Sequence, residues 1–163
     1  MKSPLLRFAI LAIFVASFSA CGGDDPTPQP PAKTAEEIAV EKLTGTNGSQ
    51  TWQISGGGSV TRDGRTVTDL YTDFRLVLNS STARTYTSSN TNDLFDASGN
   101  WSFTDGTFTK FELTGSKPAA GREISFTQTG DNLRLDFTIP APGARINGVF
   151  AIAGSYTFNL KKN

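Results

Sequence analysis

Asn132-Leu133-Arg134-Leu135-Asp136-Phe137-Thr138-Ile139 is the stretch that decides the fold. Leu133, Leu135, Phe137 and Ile139 alternate with Arg134, Asp136 and Thr138, a period of two that puts one face of a strand in a core and the other in water. Just upstream, residues 122–127 carry Ile124 and Phe126 on a single phase, and Thr129-Gly130-Asp131 supplies turn chemistry between the two segments. The pair therefore predicts an antiparallel hairpin.

The same alternation spreads outward in both directions. It recurs in Phe74, Leu76 and Leu78, in Trp101 and Phe103, in Phe111 and Leu113, and in Tyr156, Phe158 and Leu160. Weaker strand patterns cover residues 51–55, 59–62, 65–71 and 83–88, giving eight to ten short strands joined mostly by tight turns. One-sided alternation argues for antiparallel pairing, and so many short strands imply closure into a barrel or folding into a sandwich. Residues 116–121 and 140–148, rich in Pro, Gly and Ala, interrupt the pattern as loops. Phe108 is out of phase with Phe111, which predicts a bulge or an exposed aromatic there. Gly56-Gly57-Gly58-Ser59 lacks the Gly-Lys-Ser/Thr of a phosphate loop and reads as a hairpin turn.

Before the strands lies one short helix. Thr34 with Glu37 three residues later has capping-box spacing, Ile38, Val40 and Leu43 form a small apolar set, and Gly45 stops the run. Ahead of that helix stands the single cysteine of the chain. Lys2 and Arg7 precede an uncharged apolar run over residues 8–18, followed by Ser19, Ala20 and Cys21. A basic segment, a short apolar segment and small residues at a cut make a secretory signal peptide. The apolar run, about 11 residues, is too short to span a hydrocarbon core that needs roughly 20. A cysteine at the cut resembles the lipobox of bacterial lipoproteins, which implies cleavage before Cys21 and acylation of that residue. Each buried methylene would contribute about 0.8 kcal/mol to the anchor. Gly22-Gly23-Asp24-Asp25 and Pro26-Thr27-Pro28-Gln29-Pro30-Pro31 then read as a flexible to semi-rigid tether. The expected organisation is a signal over 1–20, a lipidated tether over 21–33 and a β domain over 34–163.

Composition narrows the chemistry. The chain has no histidine, so Ser-His-Asp and Cys-His catalysis and the commonest transition-metal ligand are absent. Lys plus Arg equals Asp plus Glu, and losing Lys2 and Arg7 with the signal leaves the remainder slightly acidic. No basic block offers a footprint for nucleic acid. With Cys21 consumed by lipid, no disulfide forms and stability rests on the core.

Leu43-Thr44-Gly45, Trp52, the strand Phe74-Arg75-Leu76-Val77-Leu78, Ser98-Gly99-Asn100-Trp101-Ser102-Phe103, and the closing Gly154-Ser155-Tyr156-Thr157-Phe158-Asn159-Leu160 together resemble the lipocalin-like lipoprotein domains of bacteria. The resemblance spans about residues 43–161. It implies an all-β, antiparallel up-and-down barrel of eight to ten strands with an apolar interior. The acidic pair after Cys21 also resembles export signals of surface lipoproteins. The expected location is thus the outer membrane of a Gram-negative cell, lipid-anchored, on the cell surface or the periplasmic face.

The candidate ligand-binding residues are Trp52, Trp101, Phe74, Phe103, Phe126, Phe137 and Tyr156, able either to line a site for a small apolar molecule or a glycan or simply to fill the barrel. Arg84, Tyr86 and Ser88 share one strand phase and read as a wet face. Asn90-Thr91-Asn92-Asp93-Leu94-Phe95-Asp96 gathers oxygen ligands but lacks EF-hand spacing and its terminal Glu, so an ordinary Asn/Asp turn is expected rather than a calcium site. Asp69 with Asp73, and Glu112 with Glu123, are the carboxylate pairs that glycoside hydrolysis would require, with nothing in their spacing to favour it. The expectation is a non-enzymatic, cofactor-free envelope protein that either binds a small ligand or serves as a structural or interaction subunit meeting another envelope protein.

Overall fold

The computed structural model describes residues 31–141 and 152–163, and the fold below is that of the unit Ala32–Asn163. The signal segment, Cys21, the tether up to residue 30 and residues 142–148 of the second expected loop lie outside the described residues. The elements in chain order are α1 (Ala35–Thr44), β1 (Ser49–Gln53), β2 (Ser59–Arg62), β3 (Arg65–Thr66), a 3₁₀ turn (Thr68–Tyr71), β4 (Arg75–Asn79), β5 (Thr85–Ser89), β6 (Ser98–Phe103), β7 (Lys110–Leu113), β8 (Ile124–Thr129), β9 (Asn132–Ile139) and β10 (Gly154–Lys162).

From β4 to β10 each strand pairs antiparallel with the next, β1 pairs with β4, and β1 also meets β10 through Trp52 opposite Lys162 and Gln53 opposite Lys161. Eight strands thus close into an antiparallel barrel, with β2 and β3 added beside β10. The β8–β9 hairpin and the alternation of β9 are as expected: every second residue of Asn132–Ile139 is buried. Closure removes the unpaired edges that would otherwise invite aggregation.

The glycine run 56–58 is not a hairpin turn. β1 and β2 do not pair with each other; both lie along β10, with Gln53 opposite Lys161 and Ser59 opposite Asn159. Residues 54–58 are an excursion from what is otherwise one course of chain, closed by the Gly58 amide donating to Ile54 O at 2.7 Å. The strand expected over 65–71 also stops early. The Thr68 hydroxyl accepts from the Val60 amide at 3.0 Å, so a side chain takes the place of the next ladder bond. The backbone then turns and delivers Tyr71, 3% exposed, into the core.

Helix α1 forms as its sequence dictates. Thr34 Oγ1 accepts from the Glu37 amide while Glu37 answers on the Thr34 amide at 2.7 Å, completing the capping box, and Gly45 ends the helix at φ 68°. Leu43 is fully buried, whereas Ile38 points outward and is 44% exposed. Trp52 Nε1 donates to Leu43 O at 2.8 Å, fastening the helix to the barrel. Of the strand ends, Ser49, Asn79, Thr85, Phe103, Lys110 and Thr129 lie toward α1, while loops 63–74, 90–97 and 114–123 lie at the opposite end. Loop 116–121 and the described start of the loop after Ile139 share that second end.

Candidate functional site

The candidate ligand residues other than Trp52 separate into two groups. Phe74, Phe137 and Tyr156 sit at the end away from α1, with Tyr71, Phe95 and Phe158, and form one ring cluster. Phe158 lies 5.1 Å from both Tyr71 and Phe74 and 5.6 Å from Phe95, and Phe137 stacks 5.5 Å from Tyr156. All six are at most 5% exposed. Edge-to-face and offset contacts at these separations are favourable packing geometry, and together the rings fill this half of the lumen. Trp52 belongs with neither group; its ring is buried beneath α1.

Trp101, Phe103 and Phe126 lie nearer α1. Trp101 is buried with Nε1 on Asn79 O at 3.0 Å, while Phe103 and Phe126 are half-buried and stack 6.3 Å apart. Phe108 sits in the β6–β7 turn at φ 55°, half-buried, and packs edge-on to Phe103 at 5.3 Å, so it is neither a strand bulge nor an exposed aromatic. Arg84 lies against the barrel's rings while its side chain stays 34% exposed. Its guanidinium lies 5.2 Å from both the Trp101 and Phe103 rings and pairs with Glu36 of α1, so a cation–π contact and an ion pair tie helix to barrel. Between α1 and the β6–β7 turn runs a shallow groove of about 330 Å³, with Ile38, Lys42, Phe108 and Phe126 among its walls.

The expected wet face of β5 is therefore its inner face. Tyr86 is 1% exposed and donates its hydroxyl to Thr114 O at 2.8 Å, and Ser88 Oγ donates to Asp96 O at 2.6 Å. Burial, then the nearby Asp96 charge, pushes the Tyr86 phenol up to about 12. Opposite Tyr86 stands Gly99, where a Cβ would come within 2.7 Å of the Tyr86 ring and 2.6 Å of Thr114 O. The absent side chain makes room for the ring.

The Asn/Asp-rich loop proves to be a clasp around an apolar pair. Leu94 and Phe95 are buried in the barrel, and the polar groups around them hold the loop to its neighbour. Asp96 accepts from the Ser116 amide at 2.9 Å, the Ser116 hydroxyl at 3.0 Å and the Lys117 amide at 2.8 Å. Lost solvation raises the Asp96 carboxyl, yet the bonds from Lys117 and Ser116 outweigh it and hold the group below its ordinary range. Asp93 pairs with Lys117 Nζ at 2.8 Å, Asn90 Nδ2 donates to Asp73 O, and the Ala119 amide donates to Leu94 O. These groups are spent on joining loop 90–97 to loop 114–123 and, through Asn90, to loop 63–74. Among the described residues no group of three or more His, Cys, Asp or Glu side chains could hold a metal ion.

The carboxylate pairs are dispersed on the outside. Asp69 and Asp73 are exposed, Glu112 faces outward opposite Ser102, and Glu123 is paired with Lys110 at 2.7 Å. Leu94, Phe95, Tyr71 and Tyr86 are interior residues that the alternating pattern does not mark, and Arg84 is a partly exposed one that packs on the rings; the only signal for the first two is a Leu-Phe pair inside an otherwise polar loop.

The class so defined is a closed antiparallel eight-stranded β-barrel whose lumen is packed with its own side chains and capped at one end by a helix. No family model, no curated protein and no solved structure matches the chain. No helix among the described residues is long and apolar enough to cross a membrane.

Proposed function

We propose that this chain is a lipid-anchored, non-enzymatic barrel protein of the bacterial envelope, attached through Cys21, that acts through its outer surface as a structural or interaction subunit. The observation that carries the surface role is the filled interior. Rings from β9, β10, the 3₁₀ turn, the residue leading into β4 and a loop meet inside the barrel at centroid separations of 5.1 to 6.4 Å, the spacing of packed cores. The anchor rests on the signal-like segment ending at Cys21. Changing Cys21→Ser in the full chain tests it: the variant is expected to stay unprocessed and to lose labelling by radioactive palmitate, and an unchanged processed, labelled product would refute the anchor. Native mass spectrometry after exposure to envelope lipid and glycan extracts tests the filled barrel, with an unadorned mass expected and a stoichiometric adduct contrary.

A second reading, binding of a small apolar molecule, is favoured by one specific observation. Part of the filling, Leu94 and Phe95, is supplied by a loop rather than by the barrel wall.

A further inference from the structure

An eight-stranded barrel is just wide enough either to be filled by side chains or to hold one small ligand. In this barrel both descriptions meet at residues 94 and 95. Phe95 is 2% exposed, and its ring lies 5.3 Å from Phe74, 5.6 Å from Phe137 and 5.6 Å from Phe158. Those three rings lead into or belong to β4, β9 and β10, and the strands β4 and β9 are separated in the closed sheet by β1 and β10. Phe95 thus stands between separate parts of the wall, where a bound aromatic ring would stand.

We propose that loop 90–97 is a displaceable plug whose Leu94-Phe95 pair occupies, as an internal ligand, a site for a small flat aromatic molecule. This inference rests on the second reading above and adds to it how the site is closed. The ligand class follows from what surrounds Phe95: Phe74, Phe137 and Phe158 offer edges and faces rather than hydrogen bonds, and Tyr71 and Tyr156 supply hydroxyls at the margin. Tyr156 donates to Ile152 O at 2.7 Å. The Tyr71 phenol is pushed up to about 12 by burial and by Tyr156 beside it, with a hydrogen bond to Asn92 of the plug opposing.

The way the plug is held suits displacement. Its backbone turns at Asn90, Asn92 and Asp93 with φ of 54°, 47° and 61°, a left-handed region that non-glycine residues enter at some cost, Asn and Asp least. Most of its side-chain clasp is made by groups at the surface, with the Ser88 hydroxyl bonding Asp96 O from the inner face of β5. The exposed Asp93–Lys117 pair and the Asp96 bonds to Ser116 and Lys117 can all be replaced by water when the loop leaves. Of the strands that frame the site, β9 and β10 pair over eight positions from Gly154 opposite Ile139 to Lys161 opposite Asn132, and β4 pairs with β1 from Gln53 opposite Arg75 to Ser49 opposite Asn79, while β1 meets β10 at Trp52 and Gln53. Opening therefore moves the loop and leaves the wall.

The test uses the full lipidated chain in nanodiscs, with empty nanodiscs as blank, and 2-naphthol as the probe. Asp96→Ala removes the clasp from the plug side. Gly115→Ala breaks it from the other side, because a Cβ there would lie 2.0 Å from Asp96 Oδ2. Both variants are expected to bind 2-naphthol about ten-fold more tightly than wild type, and the Leu94, Phe95 and Ala119 amides are expected to exchange faster than those of β9 before the barrel unfolds. Probe binding that both variants leave unchanged would place the site elsewhere, overturning the plug while sparing the ligand-binding reading. Failure of the probe to bind any of the three proteins, or exchange of the plug amides only with global unfolding, would overturn the plug. If one variant does not fold, the other reads the same outcomes.

Discussion

Phe158→Ala is the substitution that most directly weighs the filled lumen. Its ring is fully buried and meets five others, Tyr71 and Phe74 at 5.1 Å, Phe95 at 5.6 Å, Phe137 at 5.9 Å and Tyr156 at 6.2 Å. A Phe-to-Ala change in a core costs about 3–5 kcal/mol, the value depending on how far the neighbours relax into the cavity. Relaxation is restricted here, because Phe158 is laddered to Leu135 on one side and Val60 on the other and the five rings come from separate elements. The expected loss is therefore about 4 kcal/mol, within the roughly 5–15 kcal/mol that a domain possesses, and it should lower the thermal midpoint by about 12–20 °C for a chain of this size. Urea unfolding followed by tryptophan fluorescence and circular dichroism measures it, with an unchanged m-value required for the comparison. Phe108→Ala serves as the control: Phe108 is half-buried with a single close ring partner, and should lose about 1 kcal/mol. A loss below about 2 kcal/mol for Phe158→Ala would mean that the rings are not packed as a solid, and the filled-barrel argument would fall with it.

Gly99→Ala should destabilise by about 2 kcal/mol, since the added methyl meets both the Tyr86 ring and Thr114 O and the β5–β6–β7 seam must shift; a neutral result in the same urea titration would show that Tyr86 does not cross that position. Acid should also weaken the fold. The bonds from Thr107 and Thr109 hold Asp105 down at about 2, and Asp93 is lowered by Lys117. Groups whose carboxyls are lowered on folding stabilise fully above their unfolded range near pH 4, and that contribution disappears as the pH falls toward 2. The thermal midpoint should accordingly be flat from about pH 5 to 8 and fall below about pH 4, less steeply in Asp105→Asn; a fall of equal steepness in the variant would clear Asp105 of any part in it.

Much of the barrel was legible because a half-buried strand writes its two faces into alternate positions. β9 and β10 show this best, with Leu, Phe and Ile on one phase and charged or hydroxyl side chains on the other. β5 fails the same reading for a physical reason. Arg84, Tyr86 and Ser88 on one phase face Thr85, Thr87 and Ser89 on the other, so both faces carry polar atoms and hydropathy cannot choose between them. The choice was made by packing: Tyr86 buries its ring over Gly99 and satisfies its hydroxyl on Thr114 O, while Arg84 lays its guanidinium over Trp101 and Phe103. The segment 65–71 fails differently. Its β-branched residues favour a strand, but the Thr68 hydroxyl competes with the ladder for the Val60 amide and turns the chain.

The plug is the least legible feature, since two adjacent apolar side chains in a loop have no period at all. A helix or strand reports its buried face by repetition, whereas Leu94 and Phe95 report theirs only by standing among Asn, Asp and Thr. The same polar neighbours that suggest a turn or an ion site are the ones that bond across to Ser116 and Lys117 and keep the pair inside. Loop-borne filling also has a different energetic standing from wall-borne filling. Withdrawing Phe158 requires breaking β10 away from both neighbours, while withdrawing Phe95 leaves the strand ladders in place and requires the surface clasp, the Ala119 amide's bond to Leu94 O and the Ser88 hydroxyl's bond to Asp96 O to be exchanged for water and two side chains to be exposed. On that difference the lumen can be solid in the resting barrel and still be the one place where an incoming aromatic ring could replace part of the protein itself.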